Sequence, residues 1–150
     1  MAWRGKFKPQ NRHKYKGDPD NIIYRSSWEF VVMKYLDRTP QVIAWSSEEI
    51  IIPYTDPLTG KYRRYFPDFW VKIQKKDDSF QEFILEVKPL KQASIPEKKS
   101  RVTKRYITEV YTYGINQAKW QAAHNFCNKR NWKFKIITEN DLPFFKFKSE

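Results

Sequence analysis

Two strand-like runs, YRRYFPDFWVKIQ (62–74) and FQEFILEVK (80–88), are separated by only five polar residues, KKDDS. Runs so placed most simply form an antiparallel hairpin, with its turn near Asp77 and Asp78. Whatever else the chain does, it must build a sheet around that hairpin. Both runs are apolar in the main, yet they carry charge at chosen places: Asp68 follows Pro67 in the first, and Glu86 and Lys88 end the second.

The flanking sequence supplies the other layers. From Ser26, Trp28, Val31, Val32, Tyr35 and Leu36 recur at helical spacing and Pro40 lies just beyond, which predicts a helix over about 26–37. EEIIIPY (48–54) reads as a strand, and TDPLTG (55–60) as a turn. After Lys88 the texture changes, and residues 89–105 read as a mobile basic loop; 100–113 can be helix or irregular. INQAKWQAAHNFCNKR, beyond Gly114, predicts a helix with Ala118, Ala122, Ala123, Phe126 and Cys127 on its apolar stripe. WKFKIIT predicts a last strand, followed by a turn at ENDLP and an aromatic-basic tail, FFKFKSE. The expected class is α/β, a central mixed sheet with an antiparallel hairpin flanked by helices. A chain of 150 residues accommodates one such domain. It is expected over 22–150, preceded by a basic extended arm over 1–21 whose Trp3, Phe7 and Tyr15 offer stacking faces to unpaired bases or tether the arm to the core.

Charge narrows the partners. The chain has 29 Lys and Arg against 17 Asp and Glu, a net +12, which favours polyanions through counterion release. The excess is clustered: Arg4, Lys6, Lys8, Arg12, Lys14 and Lys16 in the arm, and Lys91, Lys98, Lys99, Arg101, Lys104 and Arg105 in and beyond the loop. Except for Lys16, these are the candidate DNA-contacting side chains. No run is apolar enough to span a bilayer or to serve as a secretion signal, so neither membrane nor export is expected. The single cysteine, Cys127, excludes an intrachain disulfide and a multi-cysteine zinc site, and its place on the apolar stripe suits a core residue.

The charged residues of the hairpin imply chemistry. Glu86 and Lys88 stand at i and i+2 and leave one face of their strand. Asp68 joins them across the hairpin if the register permits. Two carboxylates that close repel unless a cation lies between them, and Mg²⁺ takes one or two carboxylates plus waters and substrate phosphate. Lys88 would then orient water or stabilise charge on phosphorus. Alternatively, Asp68 and Glu86 are exposed members of surface ion pairs. Glu29 shares a helix face with Val32, Met33 and Leu36, which turns it toward the core margin; Ser26-Ser27-Trp28-Glu29 also has capping-box spacing. Asn116 and Lys119 share a face of the later helix and can reach the same cleft. His13 and His124 lie in no ligand-spaced cluster.

Glu29, Pro67-Asp68 and Glu86-Val87-Lys88 resemble the PD-(D/E)xK nuclease superfamily. More narrowly, YRSSWE (24–29), YFPDFWV (65–71), LEVKP (85–89), INQAKWQAA (115–123) and FKIITENDL (134–142) are similar to the head completion nucleases of T-even-like tailed phages. The core also resembles the cleavage subunit of heteromeric transposases. The resemblance implies a restriction-endonuclease-like core and an Mg²⁺-dependent deoxyribonuclease, with Mn²⁺ able to substitute. Asp68 and Glu86 would be the metal ligands, Lys88 the catalytic lysine, and Glu29 a supporting acid. Asn116, Gln117 and Lys119 are secondary site candidates: the usual superfamily pattern sets a Gln ahead of an aromatic, whereas here Gln117, Lys119 and Trp120 crowd together. It further implies double-stranded DNA and phage head, portal or neck proteins as partners, and a place in the virion or in host cytoplasm during assembly. A non-catalytic DNA-binding head protein and a transposon-end or junction-cleaving nuclease remain open alternatives.

Overall fold

A computed structural model describes residues 4–98 and 100–141. Trp3, Lys99 and the tail expected at 144–150 lie outside the described residues. The elements are, in order, β1 (Gly5–Phe7), a 3-10 turn at Arg12–Lys14, β2 (Ile22–Tyr24), α1 (Ser27–Arg38), β3 (Val42–Ser47), β4 (Ile52–Thr55), β5 (Tyr62–Tyr65), β6 (Phe69–Gln74), β7 (Phe80–Val87), α2 (Leu90–Ala93), α3 (Lys104–Asn128) and β8 (Lys133–Ile137).

The expected mixed sheet is present, with strand order β3-β6-β7-β8: the first three strands are antiparallel, and β8 joins β7 in parallel. The β6–β7 hairpin turns at Asp78, whose φ of 66° relieves the bend. Because strand side chains alternate, each face of the sheet builds its own core. Val71, Ile73, Phe83, Leu85 and Ile137 pack beneath α1 against Val32, Met33 and Leu36. On the other face, Trp120 and Ala123 of α3 pack with Ile52, Tyr54 and Tyr65, and Phe134 and Ile136 of β8 close over them.

Four expectations change. The run 62–74 is not one strand: β5 pairs with β4 and β6 with β3 and β7, and the chain breaks at 66–68. Pro67 has no N–H to give a ladder, so the strand changes partners there. The strand expected at 48–54 is displaced to β4, and VIAWSS, unassigned from sequence, is β3. Helix α3 runs through Gly114 from Lys104, capped by the Thr103 hydroxyl, which accepts from Tyr106 N at 3.1 Å. It claims most of the segment left ambiguous, 104–113 of 100–113, and the end of the expected loop, near whose start α2 forms.

The fourth change concerns the arm, which from Gly5 onward is folded onto the domain rather than extended from it. β1 pairs with β2, Phe7 and Tyr15 enter the core, and Tyr15 meets the Trp45 ring edge-on at 4.8 Å. Asp37, wholly buried at the end of α1, accepts from the backbone N of Gln10 and Asn11, each at 2.9 Å. Lys14 is 8% exposed and its Nζ donates to the carbonyls of Asp37 (3.0 Å) and Thr39 (2.8 Å). It therefore satisfies carbonyl oxygens at the helix C-terminus and is withdrawn from any DNA-contacting role.

Candidate active site

The hairpin register decides whether the two strand carboxylates meet. Phe69 pairs with Leu85, both facing α1, and alternation turns the next positions, Asp68 and Glu86, to the α3 face. Asp68 is held from two sides: its Oδ2 accepts from Val87 N at 2.7 Å, and its carbonyl from Glu48 N at 3.1 Å. Glu48 adopts φ 55° to make that turn and pairs with Arg25. Glu86 is 5% exposed. Lys88, two residues on, leaves the same face and is half-buried, its backbone N bonded to Ile137 O at 2.9 Å.

Electrostatics report the proximity. Burial pushes the Asp68 carboxyl well above the usual carboxylate range, and the charge of Glu86 pushes it further; the Val87 N–H opposes, and Glu29 adds to the rise. Burial also raises the Tyr65 hydroxyl, reinforced by Glu86 and Asp68. Lys119 on α3 is lowered by burial and by the charge of Lys88, while Glu86 and Asp68 pull it back up. Asp68, Glu86 and Lys88 all act on the charge of Lys119, which puts the four side chains within electrostatic reach of one another.

Glu29 lies at the edge of this group. Ser26 caps α1 by accepting from Glu29 N at 3.1 Å, and its hydroxyl donates to Glu29 Oε2 at 3.3 Å. The capping geometry is therefore formed, while the same carboxylate is close enough to raise Asp68. Burial raises Glu29 itself, with Glu48 adding to the effect and Arg25 and Ser26 opposing it.

On α3 the buried stripe is Asn116, Trp120, Ala123 and Cys127. The half-buried Lys119 is within electrostatic reach of Glu86 and Asp68, Asn116 is buried one turn earlier on the helix, and Gln117 is exposed to solvent. Lys119 Nζ lies 5.8 Å from the Tyr54 ring centroid and 5.6 Å from that of Tyr65. Sequence reasoning missed Tyr65 and Trp120. The buried Tyr65 hydroxyl lies against Glu86 and Trp120, and Asn116 Nδ2 is buried without a hydrogen-bond partner. An unpaired buried amide is costly, and water or a ligand could satisfy Asn116 Nδ2. The signal available in sequence was Tyr65, three residues before Asp68 in YFPD.

The residues suit a divalent cation. Two adjoining carboxylates, one of them hard to ionise, are relieved by positive charge between them. Among the described residues no three His, Cys, Asp or Glu side chains converge as a closed metal site. A cation here would take Asp68 and Glu86 and leave its other positions to water and phosphate oxygens, as Mg²⁺ does.

Of the expected DNA-contacting side chains, Arg4, Lys6, Lys8, Arg12, Lys91, Lys98, Arg101, Lys104 and Arg105 are exposed. Arg12 is paired with Asp20 at 2.7 Å, and Arg105 with Glu109 at 3.3 Å. Lys99 is outside the described residues. Among the described residues no helix is long and apolar enough to cross a membrane.

A family profile described as TnsA-like endonuclease N terminal matches residues 39–139, which include Asp68, Glu86, Lys88 and Lys119. The chain is also 45% identical over 152 residues to a head completion nuclease of Enterobacteria phage T4, the match covering 99% of each protein.

Proposed function

The chain belongs to the TnsA-like endonuclease family, and on that premise we propose that it is a metal-dependent deoxyribonuclease of PD-(D/E)xK type that acts in phage head completion. The observation that carries the reading is the convergence of Asp68 and Glu86 on one face of the sheet, with Glu86 raising the Asp68 carboxyl. Mg²⁺, or Mn²⁺ in its place, would be held by these two carboxylates and would supply a more acidic water and a counter-charge for the phosphate. Lys88 leaves the same face as Glu86 and donates to the attacking water or to a phosphoryl oxygen. Water oxygen bonds to phosphorus and loses a proton to solvent, the bond to the departing sugar oxygen breaks, and that oxygen takes a proton from solvent. Lys119 brings a second cation to the growing negative charge, and Asn116 Nδ2 an unused donor. The Val87 N–H fixes Asp68, so that little reorganisation accompanies the reaction.

Double-stranded DNA is the substrate in this reading, held by exposed basic side chains, and the partners during assembly are head, portal or neck proteins. The test is incubation of linear and circular duplex DNA with the purified protein, in Mg²⁺ or in EDTA. Cleavage in Mg²⁺ alone is expected, with loss of about 100-fold or more in Glu86→Ala and Lys88→Ala. Equal cleavage by these variants, or cleavage in EDTA, would overturn the proposal. Circular substrate separates internal cutting from attack at ends.

A further inference from the structure

The β4–β5 hairpin has two faces with different fates. Its inner face is anchored: Ile52, Tyr54 and Tyr65 pack on Trp120 and Ala123 of α3. Asp56, 1% exposed, gathers the turn, accepting from Leu58 N at 2.9 Å, Thr59 N at 3.4 Å, Arg63 Nε at 2.9 Å and the Tyr111 hydroxyl at 3.2 Å. Gly60, at φ 71°, completes the turn. The hairpin is therefore a ledge fixed to α3.

The outer face carries Tyr62, Arg64 and Phe66 at i, i+2 and i+4, opposite exposed Pro53 and Thr55. Tyr62 is 85% exposed and Phe66 42%, and the Arg64 guanidinium lies 5.9 Å from the Phe66 ring centroid. Neither sheet core uses these side chains. Aromatic rings beside an arginine offer stacking faces to nucleobases, faces that a duplex hides in its own stack and that unpaired nucleotides present. Charge agrees: residues 57–67 contain Lys61, Arg63 and Arg64 and no acid. Position agrees as well, because the chain leaves this face through the break at 66–68, in which Asp68 lies.

We propose that the outer face of the β4–β5 hairpin, Tyr62, Arg64 and Phe66, binds unpaired nucleotides at a frayed or overhanging DNA end and leads the adjoining backbone to the site. The inference rests on the nuclease reading above and names the substrate feature recognised. The chain's own stacking platform thus supplies a preference for single-stranded character, while phosphate contacts elsewhere hold duplex of any sequence.

The experiment is fluorescence anisotropy in EDTA with three labelled probes: a single-stranded oligonucleotide, a blunt duplex, and a duplex with a single-stranded overhang. Tyr62→Ala and Phe66→Ala should each weaken the single strand and the overhang by about tenfold or more and the blunt duplex by less than about twofold. Tyr62→Trp, which keeps a stacking face, should retain affinity. These side chains are exposed, so circular dichroism and melting temperature should match the unaltered protein. Equal weakening of all three probes, or of none, overturns the platform, as does unchanged DNA affinity coupled with lost binding to head proteins. Failure of the unaltered protein to bind any probe would instead sink the nuclease reading itself.

Discussion

Individual side chains here are set by what surrounds them rather than by their type. Asp68 is the clearest case. Its folded pKa stands above the unfolded value of about 3.9, so the stability it lends is complete below that pH and is lost as pH rises through the folded value. The metal-free protein should therefore melt at lower temperature as pH climbs from about 4 toward neutrality. Asp68→Asn, which still offers an oxygen to Val87 N, should flatten that slope and raise the melting temperature at pH 7.5 by about 2–4 °C for each 1 kcal/mol of strain removed, while abolishing cleavage. Calorimetry across pH measures the first effect and a plasmid assay the second; an unchanged slope would contradict the assigned environment. Lys14 is the reverse case, a lysine that reads as DNA-contacting in sequence and serves as a helix cap in the fold. Lys14→Met should cost about 1–3 kcal/mol of stability in denaturant titrations and leave duplex affinity unaltered. The Cys127 thiol, pushed up to about 11 by burial, should resist alkylation at pH 7.5 until the protein is unfolded.

At the scale of elements, the sequence was legible wherever local pattern and tertiary packing agreed. Helix α1 was expected at 26–37 and spans Ser27–Arg38, its Ser26 cap included, and the β6–β7 hairpin turns where Asp77 and Asp78 indicated. The failures have physical reasons. Pro67 sends one apolar run into two different pairings, a choice made by partners distant in sequence. VIAWSS ends in polar residues that give no clear strand pattern, yet Trp45 within it sits wholly buried between Tyr15 and Phe69. Gly114 read as a break, yet α3 continues through it and nothing lies within 4 Å of where a Cβ would stand. Gly114→Ala should stabilise the protein by about 0.5–1 kcal/mol, seen as a raised denaturation midpoint with an unchanged slope. A destabilised variant would mean that the helix needs its glycine for a bend or a close approach.

Across the whole molecule, the proposed site draws on separate elements. Asp68 comes from the break after β5, Glu86 and Lys88 from the end of β7, Lys119 and Asn116 from α3, and Glu29 from α1. Their residue types were visible in sequence, because charged groups in apolar strands stand out. Their grouping needed the register, which sequence only suggested, and the burial of Tyr65 beside Trp120 needed the packing of α3 on the β4–β5 hairpin. The arm, expected as an extended basic segment that its aromatics can tether, is part of the core through Phe7 and Tyr15, which find Trp45 and α1 rather than solvent. What the account asserts above all is that two acids on neighbouring strands share one cation. A crystal soaked in Mn²⁺ measures this directly by anomalous scattering. The expected result is a single peak within about 2.0–2.3 Å of a carboxylate oxygen from Asp68 and one from Glu86. Full Mn²⁺ occupancy elsewhere with none between these carboxylates, or no peak at saturating Mn²⁺, would contradict it.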